Sequence, residues 1–298
     1  MPRLLLVSLV WALSFGLIKQ ELAGLDPVAV ATLRLALAAV LFTPWLRWPA
    51  AGAGAAGTFI AIGAVQFGVM YATYLAAFRH LAAHEVALLT VLTPLYLALI
   101  ESAVDRRWRL RWIAAALLAV AGAAVAIWSD RPLGTKLTGL VLVQASNLCF
   151  ALGQVAYRRA FPRFAGTVTD RNAFAWLMLG GLLATALLSG VATDWSAFSP
   201  TLRQLGVIGY LGAVATALGF FLWAQGSVQV NAGVLAAFNN AKVPLGVACS
   251  LVVFGESASL GQLALSFVLL AGAVALAAAG ARRDDAAGSG DRTRRGGR

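Results

Sequence analysis

The sequence predicts an all-α polytopic membrane protein: ten transmembrane helices in two inverted five-helix repeats around a central cavity. Two observations carry that expectation. The first is composition. Of 298 residues, 60% are hydrophobic and only 12% are charged, against about 25% charged in a typical soluble domain. The second is an internal echo. A shift of 150 positions lays Ala82 on Ala232, Ala87 on Ala237, Pro94 on Pro244 and Leu95 on Leu245. The same shift lays Leu110 on Leu260 and Ala121-Gly122-Ala123 on Ala271-Gly272-Ala273, without a gap. Five is an odd number of spans, so two copies must cross the bilayer in opposite senses.

A span needs roughly 20 apolar residues. Stretches of that kind lie near 4–20, 27–46, 57–79, 84–104, 110–128, 137–158, 173–191, 204–225, 231–253 and 259–280. The first resembles a secretion signal, with Arg3 before an apolar run. No small-x-small cleavage pattern closes it and nine spans follow, so it is read as a span. Trp11 and Ser14 share one of its faces. The second span carries Arg34 near its centre. The third has Gln66 near its middle and Tyr71 and Tyr74 on one face. The fourth aligns Thr90, Thr93 and Glu101 and contains Pro94 and Tyr96. The fifth repeats Ala115, Ala119, Gly122 and Ala126, a small surface that lets helices pack closely.

The segment Ser129–Lys136 divides the chain into halves of about 1–130 and 135–281. The sixth span lines up Gln144, Asn147, Gln154 and Arg158, and the longest connection, roughly 159–172, follows it. Spans seven and eight are read from apolar content alone. The ninth holds Asn239, Asn240, Lys242 and Pro244, and the tenth repeats Ala264, Ala271, Ala275 and Ala278. The small-residue stripes of spans five and ten pack within one chain or form a homodimer face. Residues 282–298 have no apolar content and are expected to form a disordered basic cytoplasmic tail.

The net charge of +11 is distributed as a membrane topology requires. Arginines cluster after span four (Arg106, Arg107, Arg109, Arg111), after span six (Arg158, Arg159, Arg163, Arg171) and after span ten. With the N-terminus inside, the cytoplasmic side carries 16 of the 23 Lys and Arg and the outer side five. That is the positive-inside pattern. It sets both termini in the cytoplasm of a bacterial inner membrane and argues against nucleic acid as a partner. There is no phosphate-binding Gly loop, no Gly-x-Ser-x-Gly elbow, no embedded Asp pair and no Ser–His dyad. An ATP-driven pump and an intramembrane enzyme are therefore disfavoured. His80, His84 and Glu85 lack a matched further ligand, so no metal and no cofactor is expected.

Lys242 is the costliest residue to keep in a bilayer. A central lysine costs about 2.5–3.5 kcal/mol on insertion scales, and no Asp or Glu shares its span. Asn239 lies one turn before it and Asn240 is close by. Pro244 removes an N–H and clashes with the carbonyl four residues back, that of Asn240. A cation, two amides and an opened backbone suit a carboxylate, phosphate or carbonyl group. Arg34 reads either as a second ligand group or as a tie between helices. Trp11, Ser14, Tyr71, Tyr74, Thr90, Tyr96, Gln144 and Asn147 fit a shared central cavity better than separate packing contacts. The aromatic rings would supply flat apolar walls with polar tips. Pro94 and Pro244 are candidate hinges.

These features together resemble the drug/metabolite transporter superfamily, in particular its bacterial ten-helix EamA-type members. The likeness rests on the two five-helix halves and on Leu-Thr-Pro94 matched by Lys-Val-Pro244. It rests also on Arg34 in span two and Phe-Gly-Glu256 at the end of span nine. The first half departs from the pattern: Arg106, preceded by Asp105, stands where the repeat would put the mate of Glu256. The resemblance implies a basket of helices around a central site and movement of small metabolites, often outward. The resulting expectation is an exporter of small amino-acid-like or carboxylate-bearing metabolites working by alternating access. The rival readings are an exporter of hydrophobic drugs or cations, and a non-transporting membrane scaffold or sensor.

Overall fold

Ordinary capping chemistry sets the starts of the helices. Asp26 accepts the Ala29 N–H at 2.8 Å, with Pro27 at the first helical position, where its missing N–H costs nothing. Thr169 caps Asn172 at 3.3 Å, and Thr201 and Gln204 cap each other's backbone N–H groups reciprocally. The computed structural model describes residues 2–50, 52–104, 110–128, 133–227 and 242–276. No strand occurs among them. Seven described helices are long and apolar enough to cross a membrane. They are α1 (Arg3–Leu22), α2 (Pro27–Trp45), α3 (Ala53–Ala77), α4 (Ala83–Val104), α6 (Gly134–Phe164), α7 (Asp170–Ala192) and α8 (Leu202–Gln225). Three shorter apolar helices accompany them: α5 (Ala114–Ile127), α9 (Lys242–Val253) and α10 (Leu260–Leu276).

Helices from the two halves interleave. α2 packs along α7 and α8, α7 along α3, α6 along α3 and α4, and α1 along α8 and α9. Hydrogen bonds at both ends fix the sense of α2 against α7. At the start of α7, Asn172 donates to the Trp45 and Arg47 carbonyls at the end of α2. Beyond the end of α7, Thr193 donates to Asp26 at the start of α2. The two helices therefore run antiparallel. α10 meets α5 in the same way: Gln262 donates to the Val125 and Trp128 carbonyls, and Ser266 donates to that of Gly122. The α3–α7 crossing is close enough to need glycine. A Cβ on Gly63 would lie 2.0 Å from the Leu177 carbonyl oxygen, and one on Gly180 would lie 2.1 Å from that of Ile60.

Some expectations change here. The connection expected over 159–172 is shorter, because the chain stays helical through Phe164. Pro162 sits in the first turn of a tight terminal segment, where it is tolerated. Gly166 then turns the chain at φ +85°. In α5 the Ala115, Ala119, Gly122 and Ala126 stripe is buried, as its spacing suggested, and Gly122 meets Leu270 of α10. In α10 the buried face is instead Leu263, Ser266, Leu270 and Ala273, while Ala264 and Ala275 are exposed. Ser266 needs its carbonyl partner on α5, and that hydrogen bond turns the alanine stripe outward. Asn239, Asn240, Ala278, the start of the segment Ser129–Lys136 and the 282–298 tail lie outside the described residues.

Two helices widen at their middles. α3 contains a π-type turn over Ala64–Val69 and α8 one over Leu211–Leu218. Such turns are rare and cluster at functional sites. α4 is broken differently. The ring of Pro94 denies an α-type bond to the carbonyl of Thr90. A tight Thr90–Leu92 turn forms there, and the Thr93 hydroxyl donates to the freed carbonyl at 2.9 Å.

Candidate functional site

Residues within or just beyond these irregular segments (Met70, Thr90, Thr93 and Phe220) line one cavity. It is lined from α1 by Trp11, Ser14, Phe15 and Ile18, with Arg34 from α2 and Met70, Tyr71 and Tyr74 from α3. Thr90 and Thr93 of α4, Ser146, Asn147 and Phe150 of α6, Phe220 of α8 and Lys242 of α9 complete it. The cavity gives the centre of a water molecule about 80 Å³ to occupy. At roughly 10–15 Å³ per water, that is space for about six waters or a small ligand.

Two cations sit in this wall beside aromatic rings. Lys242 is 8% exposed, with Nζ 5.1 Å from the Trp11 ring centre and 6.0 Å from that of Phe150. Both rings lie within the range of cation–π attraction. Trp11 is itself anchored, donating its Nε1–H to the Ala215 carbonyl in the widened turn of α8 at 2.9 Å. Arg34 is 3% exposed and lies over the face of Tyr71, 4.0 Å from the ring centre. Its Nε donates to Thr216 Oγ1 at 2.6 Å, and Tyr71 OH lies 3.1 Å from the same oxygen. Thr216 in turn donates to the Leu211 carbonyl five residues back, which the wide turn leaves in reach. Arg34 Nη1 is buried without a hydrogen-bond partner. A buried donor left unmade costs about 1–3 kcal/mol, more when charged.

A polar network ties α6 to the break in α4. Asn147 donates from Nδ2 to the Leu89 carbonyl at 3.1 Å and to Gln144 Oε1 at 3.2 Å, and its Oδ1 lies 3.2 Å from Thr93 Oγ1. Tyr96 OH donates to Gln144 Oε1 at 3.1 Å. Asn147, Thr90 and Thr93 therefore reach the cavity, while Gln144 and Tyr96 stand behind them and hold Asn147 in place. The packing of α6 on α4 turns these two away, which their spacing alone did not reveal. Glu101 and Arg158 lie apart from the cavity and pair with each other at 3.1 Å, near the exposed ends of α4 and α6.

A second polar cluster closes one end of the bundle. α9 ends in a wide turn over Cys249–Val253, and Gly255 at φ +66° folds the chain back so that the Glu256 N–H reaches the Ser250 carbonyl at 2.9 Å. The Glu256 carboxylate then caps the start of α4. It accepts from the Ala83 N–H at 2.9 Å and the His84 N–H at 3.1 Å, and it lies 2.7 Å from His84 Nδ1. Partial burial alone would raise its pKa. The hydrogen bonds from His84 and the two backbone amides outweigh that and hold it at about 2. Next to it, Glu85 accepts from the Ala82 N–H and pairs with Lys136 of α6. Lys19 donates to the Phe78 carbonyl and Gln20 to that of Phe254, both at 2.6 Å. The ring of Phe254 fills the space that a side chain on Gly16 would need. The ends of α1, α3, α4, α6 and α9 are thus fastened together.

Of the residues singled out in the sequence, Trp11, Ser14, Arg34, Tyr71, Tyr74, Thr90, Thr93, Asn147 and Lys242 meet at the cavity. Sequence reasoning missed Phe15, Ile18, Met70, Phe150 and Phe220, which carry no contrast with the apolar runs around them, and Ser146, which falls outside the spacing that aligned Gln144 and Asn147. His84 and Glu85 serve the end cluster, and no group of three potential metal ligands occurs among the described residues.

Known proteins share these features. A family model described as the EamA-like transporter family matches residues 3–128. A probable biotin transporter of Pseudomonas aeruginosa is 38% identical over 272 residues, covering 89% of this chain and 93% of that protein. The biotin transporters of Escherichia coli K12 and Salmonella typhimurium are each 38% identical over 259 residues, covering 86% of this chain and 85% of theirs. One crystal structure superimposes with a TM-score of 0.63 at 21% identity, over 94% of this chain and 97% of that one. That likeness speaks for the fold alone.

Proposed function

Because this chain belongs to the EamA-like transporter family, within the drug/metabolite transporter superfamily, we propose that it carries biotin or a close carboxylate relative by alternating access. That it is a multi-pass membrane transporter, and not an enzyme, follows from the family. The observation that carries the substrate reading is Lys242, a cation set among aromatic rings in a cavity built from both halves. Biotin is a ureido–thiolane bicycle bearing a valerate chain. Its carboxylate suits Lys242, and its bicycle suits the walls of Trp11, Phe15, Phe150 and Phe220. Among small amino-acid-like and carboxylate-bearing cargoes, the named substrates of the relatives favour the second kind.

The ten-span, inverted-repeat reading has support in the packing. Replacing each helix by its counterpart five places along turns the α1–α8 contact into α6–α3, α1–α9 into α6–α4, and α2–α8 into α7–α3. The wide turns of α3 and α8 are counterparts too. α2 and α7, related as copies, run antiparallel. In this reading the Glu256 cluster is the outer gate, and rocking of the halves breaks it while Lys242 holds the cargo. None of the described lining residues is a carboxylate, so we favour a carrier without a coupled proton. Such a carrier moves cargo down its gradient and exports only when the inside concentration is higher.

The test is exchange of labelled biotin into biotin-loaded proteoliposomes. Lys242→Ala is expected to lower the exchange at least about tenfold, and Lys242→Arg to retain part of it. Unimpaired exchange by Lys242→Ala rejects the site. Export of cationic dyes that survives Lys242→Ala supports the drug reading instead. No flux of any solute through folded protein supports a scaffold.

A further inference from the structure

Arg34 is only partly explained by packing. Its Nε is taken by Thr216, its planar face by Tyr71, and its Nη1 is buried, without a partner, in a residue that lines the cavity. A tie between helices would direct its donors at backbone carbonyls of neighbouring helices, and no such bond forms at Nη1. Buried polar groups in native proteins nearly always find a partner, so an orphan in a residue that lines a cavity points to a partner that arrives with the ligand. With Nε already engaged, the side-on fork that grips a carboxylate through two parallel bonds is no longer available. The end-on pair of Nη1 and Nη2 stays open, and one acceptor oxygen is enough to satisfy the orphaned Nη1.

A chain of ring contacts joins this donor to Lys242. Lys242 lies over Trp11, Trp11 meets Phe220 at 4.8 Å, Phe220 meets Tyr71 at 6.4 Å, and Tyr71 lies under Arg34. The cavity therefore offers a cation, an aromatic run and a second cation with an unpartnered donor.

Building on the carboxylate-carrier reading above, we propose that Arg34 is the specificity-determining second anchor. Its Nη1 donates to a neutral carbonyl oxygen at the end of the cargo remote from the carboxylate on Lys242. The cargo class is then a monocarboxylic acid with a urea- or amide-type carbonyl at its far end. In biotin that oxygen belongs to the ureido ring.

Lipoic acid separates the two anchors, because it keeps a sulfur ring on a valerate chain but lacks the ureido group. Binding of biotin and lipoate to the purified full-length protein is measured by calorimetry. Wild type is expected to prefer biotin by about tenfold or more. Arg34→Gln is expected to weaken biotin about tenfold or more and lipoate by less than about twofold, with Arg34→Lys recovering part of the loss. Lys242→Ala is expected to weaken both ligands. Equal losses for both ligands in Arg34→Gln, or no loss for either, overturn the assignment while leaving the carboxylate reading intact. If wild type binds neither acid, it is the carrier reading that fails. Should the Arg34 variants not fold, the ligand side still decides. The analogue with sulfur in place of the ureido oxygen keeps the carboxylate but is a poorer acceptor at that end, and wild-type binding equal to that of biotin overturns the proposal. So does tighter binding of a straight-chain dicarboxylate than of biotin.

Discussion

Phe220 lies where four aromatic rings meet: Trp11 at 4.8 Å, Phe67 at 5.1 Å, Phe150 at 5.8 Å and Tyr71 at 6.4 Å. It is the link between the two cations of the cavity. Aromatic pairs contribute about 0.5–1.5 kcal/mol each beyond their buried area. Phe220→Leu keeps an apolar side chain but removes the ring from all four pairs. We expect it to weaken cargo binding about three- to tenfold, read by calorimetry, with a modest loss of thermal stability. Unchanged affinity together with a large drop in melting temperature would reduce Phe220 to a packing residue. The contrast with Lys242 shows which residues a sequence exposes. Lysine and arginine in an apolar run stand out because the bilayer makes them costly. Phe220 is one of 15 phenylalanines in a chain where apolar residues are the background, and only the fold distinguishes it.

Helix ends and helix crossings carry the next level of organisation. Glu256 joins the end of α9 to the start of α4, and its carboxyl is held at about 2 against an ordinary value of 4.5. A carboxylate with a depressed folded-state pKa stabilises the fold fully above its unfolded value, and that contribution disappears as pH falls through the folded value. The relevant window therefore runs from about 4.5 down to about 2. Wild type should lose on the order of 1–2 kcal/mol across it, after allowance for solvent screening of a partly exposed group. Glu256→Gln should be less stable at pH 7 and lack this component of the acid response. Thermal unfolding in detergent at stepped pH measures both, and identical acid profiles would exclude the clasp. At the α3–α7 crossing, Gly180→Ala forces a methyl against the Ile60 carbonyl. Overpacking costs typically 1–3 kcal/mol, so the variant should melt several degrees lower, whereas Gly190→Ala, with open space around it, should not. The break at Pro94 was legible because proline has a fixed stereochemical cost. The wide turns of α3 and α8 were not, since an extra residue in a helical turn leaves no mark on an apolar pattern.

At the scale of the molecule, charge and packing make one geometric claim. Arg3, Trp45, Arg158, Phe164, Asp170 and Gln225 lie toward one end of the bundle, where Arg3 reaches Gln225 and Asn172 reaches the Trp45 carbonyl. The Glu256 cluster, Thr193 and Arg203 lie toward the other, where Arg203 pairs with Glu21. The duplicated pattern suggested two halves before any contact was known, yet it could not say which faces meet. That depends on Ser266, Gln262 and the close-approach glycines. The inverted arrangement predicts that repeat-related loops emerge on opposite sides of the membrane, and the arginine distribution predicts which side each takes. Trp48, in the connection from α2 to α3, and Trp195, in that from α7 to α8, are both exposed and occupy corresponding places in the two halves. With Cys149 and Cys249 replaced by alanine, single cysteines at these two positions test the arrangement. In right-side-out vesicles, an impermeant maleimide should label Trp195→Cys at once and Trp48→Cys only after permeabilisation. Labelling of both from the same side would exclude inversion of the halves, and exchange of the two results would keep the inversion but reverse the orientation. The Glu256 cluster faces the same side as Trp195, so the same experiment decides whether that clasp is an outer or an inner gate.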